Sequence, residues 1–166
     1  MMLSSLIGIL RHKFPGTPTL TTDELEARLQ EERDAVVLLD TRNSDEYQVS
    51  HLEGARHLNF EAEDDSVKSL LRELRSPRGE ASPPITIVCY CSVGYRSAIM
   101  TNRIRTFLAA ENETPSLSIF NLEGSIFKWA NEQRAMVTPT GVATTKAHPY
   151  NYVYGWGLEK THWKWS

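Results

Sequence analysis

The sequence predicts an α/β domain built on a parallel sheet. Helical and strand signals alternate from Thr21 onward, and residues 35–39 and Ile85–Tyr90 are continuous β-prone apolar runs. Such runs are typical of strands that helices cover on both faces. Hydrophobic residues make up 40% of the 166 positions and charged residues 23%, which is ordinary for a globular chain. This length corresponds to one domain with short extensions.

The first predicted element is a helix at the N-terminus. Four apolar residues recur there at helical spacing: Leu3, Ile7, Leu10 and Phe14. The pattern favours a short helix docked on the domain, and a mitochondrial presequence is the alternative. A secretory signal is disfavoured because Arg11 and Lys13 follow the apolar run instead of preceding it.

The first half of the domain carries two helix-start signals around a buried strand. Thr21 and Glu24 form a capping box, which predicts a helix from this point. The strand at residues 35–39 ends before Asp40, and Asn43 and Glu46 can cap a second, short helix. A brief strand is predicted at residues 57–59.

The second half contains the strongest strand signal, Ile85–Tyr90, which predicts the central strand. A helix at residues 67–74 and a surface loop at residues 75–84 precede it. A glycine-containing loop at residues 91–96 leads from it into another helix. Leu117–Leu122 is the last predicted strand, and Ser125 is expected to cap the final helix.

Residues 138–166 form a tail without regular periodicity. Six aromatic residues lie in it: Tyr150, Tyr152, Tyr154, Trp156, Trp163 and Trp165. We expect this tail to pack back on the domain, with a partner surface as the alternative. The predicted organisation is therefore an N-terminal helix at residues 1–18, the α/β domain at 19–137 and the packed tail at 138–166.

Composition and charge exclude several classes of function. A net charge of −3 without a basic face argues against a nucleic-acid partner. No apolar stretch approaches the roughly 20 residues of a membrane span, so we expect a soluble protein without a membrane partner. Cys89 and Cys91 are the only cysteines, which favours a reducing compartment: the cytoplasm, with the mitochondrion as the alternative.

Cys91 is the candidate nucleophile because it opens the loop at the carboxyl end of the central strand, where ligands bind in parallel sheets. A free thiol titrates near ~8.5, and a helix N-terminus beside a guanidinium lowers that pKa. Gly94 permits a backbone turn with positive φ, and Arg96 offers a planar cation for an anion. Cys89 is expected to lie deeper in the core as a structural residue.

Several motifs occur in a characteristic order over roughly residues 19–137. They are Asp40-Thr41-Arg42, Glu46-Tyr47, His51-Leu52-Glu53-Gly54-Ala55, Cys91-Ser92-Val93-Gly94-Tyr95-Arg96-Ser97, and Leu122-Glu123-Gly124-Ser125 with Trp129. Together they resemble a single-domain member of the rhodanese-like (thiosulfate sulfurtransferase) family. The resemblance implies a five-stranded parallel sheet with helices on both faces, with residues 16–20 supplying the fifth strand.

The resemblance also implies a sulfurtransferase activity. Cys91 would accept a sulfane sulfur as a persulfide from thiosulfate or a persulfide donor and pass it to a thiol or cyanide acceptor, with a protein persulfide as an alternative partner. Arg96 would orient the anion, and Asp40 would have an orienting role. The loop amides would stabilise the sulfur: Ser92, Val93, Gly94, Tyr95 and Ser97. This chemistry requires no metal or organic cofactor.

Two other functions stay open at the level of sequence. A phosphatase family shares this topology but has five residues between cysteine and arginine, whereas four lie between Cys91 and Arg96. The shorter loop favours sulfur transfer. A non-catalytic module that binds proteins through the aromatic tail is the second alternative, although it gives no reason for a cysteine at position 91.

Overall fold

The structure is a computed structural model and describes residues 2–75, 82–111 and 117–166. Within these ranges the chain forms a five-stranded parallel sheet, in the order β1-β5-β4-β2-β3, and six α-helices. The sheet strands are β1 (Thr19–Leu20), β2 (Val36–Asp40), β3 (Arg56–His57), β4 (Ile85–Tyr90) and β5 (Leu117–Leu122). The helices are α1 (Met2–Lys13), α2 (Thr22–Glu31), α3 (Ser44–Val49), α4 (Asp64–Arg75), α5 (Tyr95–Ala110) and α6 (Ser125–Asn131). The predicted α/β fold with a parallel sheet is therefore confirmed.

Strand β4 is the centre of the sheet and pairs in parallel with β2 on one side and β5 on the other. All six of its residues are buried, as the continuous apolar run predicted. The predicted bounds of β4 and β5 are confirmed. Strands β2 and β3 lie within one or two residues of their predicted positions, and β1 occupies only the last two residues of the segment predicted at residues 16–20.

Two hydrophobic cores cover the two faces of the sheet. On one face, Val67 of α4 and Met100 of α5 pack with Ile87 and Cys89. On the other face, Leu25 of α2 and the apolar residues of α6 pack with Val88 and Tyr90 of β4. Because alternate residues of β4 enter opposite cores, a single apolar strand serves both.

Two of the three predicted helix caps are present in the structure, and the third is not. The capping box of Thr21 and Glu24 is present at α2, and Glu46 accepts a hydrogen bond from the Asn43 amide at α3 (3.0 Å). At α6 the expected cap is wrong. Gly124, with φ of 69°, precedes the helix, and the Ser125 hydroxyl turns toward the loop after β4.

Both extensions contact the core on the α2/α6 face. Leu3, Leu6 and Leu10 of α1 pack against it, as do Ala147 and Leu158 of the tail. The strand β7 (Ala143–Thr144) of the tail pairs with β6 (Met136–Val137) at the end of the domain, a strand pair that the sequence did not predict. Most of the loop predicted at residues 75–84 lies outside the described residues. In the part of the chain that the structure describes, no helix is both long and apolar enough to cross a membrane.

Candidate active site

Cys91 lies at the carboxyl end of β4, and the loop that it opens reaches α5 within four residues. Gly94 precedes the helix with φ of 116°, a conformation that favours glycine because it has no Cβ. The loop therefore turns tightly over the middle of the sheet. The predicted placement of Cys91, Gly94 and the helix start is thus observed.

The Cys91 sulfur accepts hydrogen bonds from one amide and one hydroxyl. The Gly94 N–H lies 3.1 Å from Sγ, and the Ser97 hydroxyl lies 3.4 Å from it. The Ser97 backbone amide also interacts favourably with the thiolate. Gly94 and Ser97 are thus the residues that donate hydrogen bonds to the sulfur. The sequence suggested a larger set, the amides of the whole loop.

The carbonyl groups at the start of the loop are hydrogen-bonded to α6. Amides in the first turn of α6 donate to them, Ile126 to the Cys91 carbonyl and Phe127 to the Ser92 carbonyl, each at 3.1 Å. The positive end of α6 therefore compensates carbonyls that would otherwise repel a thiolate.

Two residues missed by sequence reasoning hold the backbone of this loop. The Ser125 hydroxyl accepts from the Cys91 amide at 3.1 Å and donates to the Leu122 carbonyl. Asn121 donates from Nδ2 to the Gly94 carbonyl at 3.2 Å. Ser125 has φ of 50°, so its backbone departs from the usual helix start. No pattern of residue types reports this conformation, which follows from the packing of α6 against the loop.

The environment of Cys91 lowers the pKa of its thiol. Burial acts to raise the pKa, but the Arg96 charge and the hydrogen bonds from Ser97 and Gly94 outweigh it, so the net shift is downward. The thiolate is the nucleophilic form of cysteine. The site therefore favours the form of Cys91 that reacts.

The guanidinium of Arg96, which was predicted to orient an anion, is already bound to side chains of this protein. Both of its terminal nitrogens bind the Glu46 carboxylate at 2.7 Å, and Nη2 also donates to the Ser92 hydroxyl at 2.8 Å. The Tyr150 ring lies 4.4 Å from the guanidinium carbon. The charge of Arg96 acts to lower the pKa of Cys91, while its two terminal nitrogens are bound to Glu46 and Ser92.

Glu46 is the other residue that sequence reasoning underestimated. The sequence indicated a helix cap and a motif position without a role in the site, yet the Glu46 carboxylate is buried and also accepts from the Ser92 hydroxyl at 2.9 Å. Burial acts to raise the pKa of Glu46, and the Arg96 and Arg42 cations lower it by more, so the carboxylate stays ionised. The sequence reveals a helix cap because the cap depends on neighbouring residues. It does not reveal the pairing of Glu46 with Arg96, which lies 50 positions away.

Asp40 lies one strand away and binds Arg42. Its carboxylate accepts from the Arg42 amide at 3.0 Å and from the side chain at 2.6 to 3.2 Å, and both side chains are fully buried. Arg42 in turn donates to the Ser50 carbonyl. Asp40 is therefore paired with Arg42, whereas Arg96 is paired with Glu46.

Cys91 faces a pocket of about 300 Å³ that the C-terminal tail helps to enclose. Its lining comprises Asn43, Phe60, Glu61, Cys91, Ser92, Val93, Tyr95, Arg96, Tyr150 and Tyr154. Only 1% of Cys91 is exposed. The thiol is therefore buried in the wall of the pocket, beside a lining to which the tail contributes Tyr150 and Tyr154.

Cys89 lies away from this pocket in the core shared with α4 and α5. Burial raises its pKa to about 12, against a smaller opposing contribution from a hydrogen bond with Thr101. Cys89 is therefore a structural residue, as expected. Among the described residues, no group of three or more His, Cys, Asp and Glu side chains is arranged to hold a metal ion.

Several solved structures are similar to this chain in fold. Three similar solved structures have TM-scores of 0.57, 0.56 and 0.54 and identities of 18%, 21% and 20%. The first, from Saccharomyces cerevisiae, is described as a homolog of single-domain rhodanese and the Cdc25 phosphatase catalytic domain; 69% of this chain and 80% of that one are covered. The second is a thiosulfate sulfurtransferase from Pseudomonas aeruginosa, with 90% of this chain and 25% of that one covered. The third is a rhodanese-like domain from Anabaena, with coverage of 73% and 79%.

At such identities these structures support the fold alone, and no curated protein sequence matches the chain. The family is shown by a sequence model instead. The model described as Rhodanese-like domain matches residues 21–132, well over half of the chain, and the loop that follows β4 lies inside the match. The chain therefore belongs to the family of rhodanese-like domains.

Proposed function

We propose that this protein is a sulfurtransferase that carries a sulfane sulfur as a persulfide on Cys91. The observation that supports the proposal most directly is the contact of the Cys91 sulfur with the Gly94 amide and the Ser97 hydroxyl. These donors stabilise negative charge on a sulfur at the bottom of a pocket. They would act on the thiolate before transfer and on the persulfide after it.

The reaction has two balanced steps. With thiosulfate as donor, the Cys91 thiolate bonds to the outer sulfur, the bond between that sulfur and the sulfonate sulfur breaks, and sulfite leaves with the electron pair. Cyanide or a thiolate then bonds to the outer sulfur of the persulfide and regenerates the Cys91 thiolate. An organic or protein persulfide serves as donor in the same way, with a thiolate as leaving group.

Arg96 contributes through its charge in this scheme. Burial acts to raise the pKa of Cys91, and the Arg96 guanidinium acts to lower it. Glu46 holds this guanidinium in place. In this scheme Arg96 acts through its charge and does not hold the donor directly. Ser125 and Asn121 act as positioning residues because they hold the backbone on either side of the loop.

The mass of the intact protein tests the proposal. After incubation with thiosulfate, or with an organic persulfide, we expect a gain of one sulfur atom that a reducing thiol removes. Cys91→Ser should gain nothing, and its cyanide-dependent thiocyanate formation should be lost. Equal turnover by the wild type and Cys91→Ser would refute the proposal, as would a gain of sulfur that Cys91→Ser retains.

A phosphatase activity is the second candidate, because one solved structure of a similar yeast protein is described as a protein tyrosine phosphatase of the Rhodanese family, with a TM-score of 0.53. The four-residue spacing between Cys91 and Arg96, and the occupied Arg96 fork, both argue against a phosphate dianion. We expect no Cys91-dependent hydrolysis of an aryl phosphate. Hydrolysis without sulfur transfer would favour the phosphatase instead. A non-catalytic binding module is excluded by any persulfide on Cys91.

A further inference from the structure

The pocket over Cys91 has no free cation with which to bind an anionic substrate. Arg96 is the sole basic side chain among the described residues that line it, and Glu46 and Ser92 occupy both of its terminal nitrogens. The Arg96 and Glu46 side chains are 9% and 1% exposed. An anion could displace Glu46 only by leaving a carboxylate buried without its partner, which is strongly unfavourable.

The lining of the pocket contains four aromatic side chains and one acidic side chain, and its remaining residues are uncharged apart from Arg96 and the Cys91 thiol. Four rings line it, those of Phe60, Tyr95, Tyr150 and Tyr154, and Glu61 adds an exposed carboxylate. In the part of the chain that the structure describes, no basic side chain lies within ion-pair distance of Glu61. Since Arg96 and Glu46 compensate each other, Glu61 leaves this region with one negative charge in excess.

One cation lies near the pocket but outside its lining. Lys13 lies with its ammonium 4.8 Å from the centre of the Tyr95 ring, but it is not among the residues that line the pocket. Aromatic faces attract cations and accept apolar groups, and an acidic side chain at the same pocket repels anions. A volume of about 300 Å³ is enough for a small organic molecule.

From these contacts we infer that the pocket selects small organic thiols and their persulfides whose bodies are neutral or cationic, and discriminates against anionic donors such as thiosulfate. Glu61 is a specificity-determining residue in this selection. The inference deepens the proposed function, because it concerns substrates of the same thiol. In the transfer, the Cys91 thiolate bonds to the outer sulfur of R–S–SH, the donor S–S bond breaks, and RS⁻ leaves with the electron pair.

Charge selection can be measured without sulfur transfer by using symmetrical disulfides as reagents. The Cys91 thiolate attacks one sulfur, a mixed disulfide forms, and the other half leaves as a thiolate. We would use cystamine, bis(2-hydroxyethyl) disulfide and 3,3′-dithiodipropionate, which are cationic, neutral and anionic. Each rate, followed by intact mass, is divided by the rate of the same reagent with free 2-mercaptoethanol, and Cys91→Ser is the blank.

We expect cystamine to react fastest and the dianionic disulfide slowest. Glu61→Gln should reduce the advantage of cystamine over the dianion by about 2- to 5-fold, the range expected for an exposed charge pair. Glu63→Gln is the matched control: it removes an exposed carboxylate two positions away that does not line the pocket, and should leave the order unchanged. A dianion that reacts as fast as cystamine, or equal effects of the two glutamate variants, would overturn the inference.

The same charge series applied to the persulfide separates this inference from the proposed function. The acceptors are cysteamine, 2-mercaptoethanol and 3-mercaptopropionate, compared per unit of thiolate. If the disulfides show the expected order and no persulfide forms, the charge selection holds and sulfur transfer fails. If a Cys91 persulfide forms and the anionic acceptor is preferred, sulfur transfer holds and the charge selection fails.

Discussion

Replacing Ser97 by alanine should raise the pKa of Cys91 by about one unit. The substitution removes the hydroxyl that lies 3.4 Å from the sulfur and leaves the Ser97 backbone amide in place. A hydrogen bond to a charged group contributes roughly 1.5 to 3 kcal/mol. Because this contact is long, we take the lower end, and at about 1.36 kcal/mol per pKa unit it corresponds to roughly one unit.

The assay is the pH dependence of alkylation of Cys91 by iodoacetamide, with Cys91→Ser as the blank. Burial already acts to raise the pKa of Cys91, and Arg96 and the hydrogen bonds lower it, so removing one donor shifts the pKa upward. At a pH below both pKa values, the alkylation rate should fall about tenfold, since it follows the thiolate fraction.

Ser118→Ala serves as the matched control. Ser118 is a half-buried serine on β5 that contacts Thr86 and the Ile85 carbonyl. It does not line the pocket. It should leave the pKa of Cys91 unchanged. A folded Ser97→Ala protein, verified by circular dichroism, whose Cys91 titrates at the wild-type pH or below would refute the reasoning.

Three further predictions concern the ion pair, the thiolate and the tail. Glu46→Gln breaks the buried pair with Arg96 and should lower the free energy of unfolding by about 3 kcal/mol in urea denaturation; unchanged stability would contradict this. The lowered pKa of Cys91 stabilises the fold above the ordinary thiol pKa, and this contribution is lost as the pH falls through the folded pKa. Over that window, wild-type stability relative to Cys91→Ser should rise with pH by at most about 1.4 kcal/mol per unit, and a pH-independent difference would disprove it. Tyr150→Ala removes a ring from the pocket and should speed modification of Cys91 by a bulky maleimide several-fold, whereas Tyr152→Ala, 71% exposed and outside the lining, should not; equal rates in the two variants would exclude a covering role for the tail.

The strands and helix starts near the site could be predicted because their signals are local. Strand β4 is a run of six apolar or β-branched residues, and the capping box at Thr21 and Glu24 spans only four positions. The loop between β4 and α5 is equally local, since Gly94 and the first turn of the helix directly follow Cys91. Sequence patterns report such features because neighbouring residues create them.

The error at Ser125 shows where local reasoning ends. A serine before an apolar helix is a good candidate for an N-cap, and the sequence suggested that role. In the structure its hydroxyl accepts from the Cys91 amide, 34 positions away, and Gly124 begins the turn instead. The buried Cys91 amide requires a hydrogen-bond acceptor, and the Ser125 hydroxyl meets this requirement instead of capping α6.

From the sequence alone, the α/β fold, the central strand and the position of Cys91 at its carboxyl end were determined. All of these depend on periodicity and on residues adjacent in the chain. Only the tertiary structure decided that Glu46 occupies Arg96 and that Tyr150 from the tail lies against the same guanidinium. These contacts join residues about 50 positions apart, and burial makes each charged group take whichever partner the packed elements bring within reach.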